Sequence, residues 1–88
     1  MAEADFGVTI ISESGVIFFD DCKALFVPAS QGMTAILRSH TPTIMKLVPG
    51  EVAVRQGSHN TRICAIKSGL VRVEENTAVA LVVVDDAS

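Results

Sequence analysis

The sequence predicts an all-β fold, a β-sandwich of about eight to ten short strands. Three observations point there. Apolar, β-branched runs alternate with turn signals at spacings of roughly 8–12 residues. After Gly50 the alternation has a period of two, with Val52 and Val54 on one side and Glu51, Ala53 and Arg55 on the other. A chain of 88 residues that is 49% hydrophobic has room for one small core, so residues 1–88 read as a single domain. Disorder does not fit this apolar content with a net charge of only -3, and 6 Gly, 3 Pro and 2 Cys fit neither a collagen-like nor a disulfide-scaffold chain. The longest unbroken apolar run, Ala78 to Val84, is far short of the roughly 20 residues of a membrane-spanning helix.

The elements follow in order. Phe6 to Ile11 is apolar and β-branched, and Ser12-Glu13-Ser14-Gly15 turns the chain. Val16 to Phe19 begins a second strand, Asp20-Asp21 interrupts it, Cys22 to Val27 resumes it and Pro28 closes it. Ala29-Ser30-Gln31-Gly32 is a turn into Met33 to Leu37, which ends at Arg38-Ser39-His40-Thr41-Pro42, and Thr43 to Val48 follows. A helix over Ile36 to Val48 is the alternative, because Ile36, His40, Ile44 and Leu47 share helical spacing, but Pro42 in its middle disfavours it. Pro49-Gly50 signals a turn, with Pro presetting φ and Gly able to take φ > 0. Gln56-Gly57-Ser58-His59-Asn60 reads as a hairpin loop, and the strand that returns from it breaks at Ser68-Gly69. Val71 and Val73 alternate with Arg72 and Glu74 before Glu75-Asn76-Thr77 turns again. Ala78 to Val84 is apolar on both faces, as in a strand covered on both sides. The expected core and its neighbours are Val8, Ile10, Phe18, Leu25, Val27, Ile36, Val52, Val54, Ile63, Val71, Val73, Leu81 and Val83.

The inventory for chemistry is thin. Two His and two Cys match no zinc-ligand spacing, and no phosphate-binding glycine loop occurs, so no metal and no cofactor are expected. Cys22 and Cys64 lie on apolar strands, where a thiol usually serves as a small buried hydrophobe, and two free thiols with no export signal point to a reducing compartment. The acid pairs Asp20-Asp21, Glu74-Glu75 and Asp85-Asp86 read as solvated turn residues, because neighbours on a strand project to opposite faces. Seven basic residues scattered singly among ten acidic ones, with no Trp or Tyr and with Phe only inside apolar runs, argue against a nucleic-acid partner. His40-Thr41-Pro42 is either a local turn or part of a contact loop, and Met33 beside it suits a core or an interface equally. No catalytic residue is expected.

Several segments together resemble a known family. Val8-Thr9-Ile10-Ile11-Ser12 is similar to the opening strand of the N-terminal β-sandwich domain of the epsilon subunits of F-type ATP synthases. Phe18 falls at that family's aromatic position. Pro28, Gly32, Ile36 and His40-Thr41-Pro42 follow its P-x-x-x-G loop, apolar strand and H-[AT]-P. Leu47-Val48-Pro49-Gly50-Glu51-Val52 resembles L-x-x-G-x-[VI], Ser68-Gly69 with Val71 and Val73 resembles S-G-G-x-x-x-[VI], and Asn76 with Ala78 to Ala87 resembles the closing strand. Met33 departs from the acidic residue common there, Ala35 and Leu70 from glycines, and Arg38-Ser39 from the usual Pro-Asn or Pro-Gly.

The resemblance implies a non-catalytic, central-stalk (rotor) subunit of a bacterial, proton-translocating ATP synthase. It would couple rotation of the c-ring to the gamma subunit and so serve ATP synthesis. One sheet of the sandwich would lean on gamma, and Ser12, Met33, His40 and Thr41 would meet the c-ring. The chain would lie at the cytoplasmic face of the inner membrane, held peripherally through the complex. Family members add a C-terminal helical hairpin that in some bacteria inhibits hydrolysis or binds ATP. A chain ending at Asp85-Asp86-Ala87-Ser88 is expected to lack both functions. The alternatives are a free-standing ligand-binding or regulatory β-domain and, more remotely, a hydrolase using Cys64 or His40.

Overall fold

In the computed structural model, residues 5–38 and 41–85 are described, and they form eight strands with no helix. The strands are β1 (Phe6–Ser12), β2 (Gly15–Cys22), β3 (Ala24–Ala29), β4 (Gly32–Ile36), β5 (Thr43–Leu47), β6 (Gly50–Gln56), β7 (His59–Val73) and β8 (Thr77–Val84). One hydrogen-bonded path runs β2-β1-β8-β7-β5-β3-β4, and β6 joins β3 to β7. The path folds on itself into two layers. One is β2-β1-β8 with the second half of β7 and β5; the other is β4-β3-β6 with the first half of β7. A single bridge, Ala29 to Leu47, closes the second junction between them. All pairings are antiparallel except β1 with β8, which run parallel, Val8 beside Ala78 and Ile10 beside Ala80.

Alternation fixes which side chains meet between the layers. Along β1, Phe6, Val8, Ile10 and Ser12 point inward while the residues between them are partly exposed. Val52 and Val54 of β6, Leu25 and Val27 of β3, Ile36, Val71 and Val73 are buried as the sequence leads one to expect, and Phe18 and Ile63 pack at the margin of the core. Leu81 and Val83 do not belong to it. They are 49% and 42% exposed, and Ala78, Ala80 and Val82 point inward in their place. β8 is therefore apolar on both faces and covered on only one.

Four expected breaks lie elsewhere, each for a local reason. Asp20 and Asp21 continue β2 because β2 is an edge strand, where acids remain in water. The break falls at Lys23, whose N–H donates to the Arg55 carbonyl at 2.8 Å. Pro28 lies inside β3. Its carbonyl accepts from the Val48 N–H at 2.9 Å, and since a strand residue's N and O point to the same side, the missing donor falls toward the junction of β5 and β6 and costs the β3–β4 ladder nothing. Ser68-Gly69 does not end β7. Lys67 is an extra residue there, opposite the Val83–Val84 step, and it changes the inward parity from Ile66 to Val71 and Val73. The hairpin loop is narrower than expected, since Gln56 pairs with His59 across Gly57-Ser58.

Gly50 is present for space, with no need of positive φ, which is confined among the described residues to Gly15, Gly32 and Gly57. A Cβ at position 50 would stand 2.6 Å from the Pro28 Cβ. The helical alternative over Ile36 to Val48 fails at β5, where Thr43 to Leu47 pair with Val73 to Gly69.

Candidate interaction surfaces

The outward residues of the five-strand layer build a largely apolar face, with Thr9, Arg72 and Lys46 set among the aliphatic side chains. Register sets its rows: Val16 lies beside Ile11, Ile11 beside Leu81, Leu81 beside Leu70, and Leu70 beside Lys46. The next row runs Phe19, Thr9, Val79, Arg72 and Ile44. Of the eight exposed large hydrophobic residues among the described ones, only Met33 lies off this layer; Val16, Ile17, Phe19, Ile44, Leu70, Leu81 and Val83 all belong to it. Scattered apolar residues on a surface are ordinary, but a contiguous set marks a contact site. A groove of about 380 Å³ crosses the face between Ile44, Leu70, Val79 and Leu81, and the exposed Arg72–Glu74 ion pair, 3.0 Å, stands at its margin. Phe19, at the end of the apolar run that begins at Val16, is 78% exposed.

Sequence reasoning missed this face because it placed Leu81 and Val83 inside. A signal existed in β8: small Ala78 and Ala80 alternate with larger Val79 and Leu81, and crowded positions favour the small set. Which set faces the core is decided by pairing with β1 and β7, a tertiary fact.

The residues assigned to the c-ring contact by resemblance are split. Ser12 ends β1 and is nearly buried. Its hydroxyl accepts from the Ser14 N–H at 3.1 Å and donates to the Gly15 carbonyl at 3.2 Å, so it shapes the β1–β2 turn. Met33, 60% exposed, is the second residue of β4. The row Val82–Gly69–Leu47–Ala29–Gly32 places Met33 at the same end of the strands as Ser12. Thr41 is exposed and precedes Thr43, whose row is Val73–Ala78–Val8, at the opposite end about 13 Å away along the strands. His40 lies outside the described residues.

At the Ser12 end, the Val84 N–H donates to the Glu13 Oε1 at 3.2 Å, tying the β1–β2 turn to the end of β8. Backbone donors, from Glu13 itself and Val84, hold the Glu13 carboxyl below its ordinary range, with Lys67 assisting. Ile11, Ser12, Glu13, Leu81, Val82 and Val83 line a shallow hollow of about 250 Å³ there.

The thiols are apart from these surfaces. Cys22 is buried and Cys64 half-buried, both free. Burial raises the Cys22 pKa to about 11, with Asp20, Asp21 and Asp5 adding to the shift. Burial also raises Cys64, more than Arg62 lowers it. Both shifts run against a thiolate nucleophile at neutral pH. Among the described residues no three His, Cys, Asp or Glu side chains converge, and no helix is long and apolar enough to cross a membrane.

A two-layer β domain whose outer sheet face carries contiguous apolar rows, with Thr9, Arg72 and Lys46 set among them, has a surface of the kind that contact sites use. Comparison with known proteins gives its family. Residues 5–88 match the family described as the ATP synthase, Delta/Epsilon chain, beta-sandwich domain, and the chain belongs to that family. An ATP synthase epsilon chain of Sulfurovum sp. (strain NBC37-1) is 32% identical over 73 residues, 83% of this chain and 57% of the relative. That of Nitrosococcus oceani is 32% identical over 74 residues, 84% of this chain and 53% of the relative. The chain thus spans little more than half the length of these curated relatives. A chain of the Euglena gracilis mitochondrial ATP synthase OSCP/F1/c-ring structure has the same fold, with a TM-score of 0.80 at 19% identity over 93% of this chain and 51% of that one.

Proposed function

We propose that this chain is the β-sandwich part of a rotor subunit of an F-type ATP synthase, passing c-ring rotation to the gamma subunit without chemistry of its own. Membership of the delta/epsilon family supports it, as does the kinship with chains from a c-ring assembly and from the central stalk/c-ring of Tetrahymena thermophila mitochondrial ATP synthase (TM-score 0.72, 14% identity, 94% of this chain and 66% of that one). The observation that carries it is the apolar outer face of β2-β1-β8-β7-β5, a sheet surface suited to a permanent protein partner, here gamma. The ring contact belongs to the end where Ser12 and Met33 lie together. With Met33 where the family resemblance leads one to expect an acid, the grip is more apolar, and Thr41 at the other end takes no part in it. The chain would be a peripheral part of a membrane-associated complex, on the cytoplasmic face of a bacterial inner membrane, and protons would drive the ring. Torque transmission needs a body that deforms little, which a close-packed aliphatic core supplies.

The test is co-elution of the chain with purified gamma. A stable complex is expected, together with its loss on Leu81→Asp while the circular dichroism of the free chain stays unchanged. A wild-type chain that elutes apart from gamma would overturn the assignment.

A further inference from the structure

Resting on the assignment of the outer face to the stalk partner, we infer that this face is electrically polarised and selects a partner surface of matching pattern: an apolar ridge with an acidic group where it passes Lys46 and a basic group where it passes Asp21. On β5 the buried Leu47 fixes the alternation, so Lys46 projects outward beside Leu70. On β2 the buried Cys22 does the same, so Asp21 projects outward opposite Gly7. Two neighbouring charged groups are engaged. Arg72 pairs with Glu74 at 3.0 Å, and Asp20 accepts from Gln56 at 3.0 Å. Among the described residues Lys46 and the Asp21 carboxylate have no ion-pair partner.

These two opposite charges stand at diagonal corners of the face. They are four strand spacings apart, about 19 Å across the sheet, and Leu70, Leu81, Val79 and Ile11, with Thr9 and the paired Arg72 among them, occupy the space between. A uniformly anionic surface would be repelled at Asp21 and a uniformly cationic one at Lys46. A protein surface with opposite charges flanking an apolar ridge satisfies both corners in only one direction of approach. The pair therefore sets the orientation of docking, while the apolar rows supply its affinity.

The experiment measures binding of the 88-residue chain to purified gamma at low and high salt, for wild type, Leu81→Asp, Lys46→Glu and Asp21→Lys. Both charges are exposed, so these variants should retain the circular dichroism of the wild type. Each charge reversal is expected to weaken binding about fivefold at low salt, and less at high salt. If Leu81→Asp abolishes binding while both charge variants bind as wild type does, the polarity is overturned and the apolar docking stands. If Leu81→Asp has no effect, the docking face itself is wrong. Self-association of the free chain that both reversals abolish would reassign the pattern to a second copy and overturn the inference.

Discussion

Leu25 and Leu81 share a side chain and differ in every consequence. Leu25 is fully buried between the layers, so Leu25→Ala should destabilise the domain by about 2–5 kcal/mol, removing both transfer energy and packing. Leu81 stands half in water, and Leu81→Ala should cost under about 1 kcal/mol in a urea titration while weakening docking. Cys22 makes a second contrast. Its folded pKa of about 11, against 9.0 for a free thiol, means the folded state holds the thiol proton more tightly than the unfolded state. Its contribution to stability is complete below about pH 9 and is lost as pH rises toward 11. At pH 8 its thiolate fraction should be lower by about 100-fold than that of a free thiol, so a thiol reagent should label native protein slowly and urea-unfolded protein at the free-thiol rate. Equally rapid labelling of both states would contradict the burial.

At the scale of the strand, Gly69 carries a demand that no turn signal conveys. A Cβ there would stand 2.7 Å from the Leu81 carbonyl oxygen, which is backbone and cannot swing aside. Gly69→Ala should therefore lower stability by more than about 1 kcal/mol and disturb amide shifts along β7 and β8, measured by thermal melts and two-dimensional NMR. In sequence the same residue, with Ser68, reads as the end of a strand. Other punctuation misleads for similarly physical reasons. Asp20-Asp21 interrupts a central strand but is tolerated at an edge, and Pro28 breaks a ladder only if its nitrogen faces the bonded neighbour. Sequence composition reveals the acid and the imino ring, but not the side of the sheet on which they will fall. Strand existence was legible throughout, and so was the inward set of β6, because Val52 and Val54 alternate with Glu51, Ala53 and Arg55. The inward set of β8 was not, since both of its faces are aliphatic and only its neighbours choose between them. The candidate contact set shows the same divide: Ser12 and Met33 come to one end through five successive pairings, information that no local pattern holds.

For the molecule as a whole, stability rests on pairings between distant parts of the chain. β8 lies between β1 and β7, contributes Ala78, Ala80 and Val82 to the core, and reaches back through Val84 to Glu13. A chain ending at residue 76 would leave β1 and β7 with open inner edges. It should lose its cooperative thermal transition, followed by circular dichroism at 218 nm or so, where strand signal is read. A truncated chain that still melted sharply would show that the remaining strands form a core without β8.

Because β7 runs unbroken through both layers, with the Lys67 bulge at the crossing, one stretch of fifteen residues belongs to each half of the sandwich. A sliding load applied to one layer against the other meets covalent main chain at this seam, in series with two ladders of hydrogen bonds, before it can shear side chain past side chain. Whatever grips the outer face is thereby joined to whatever touches the opposite layer by peptide bonds.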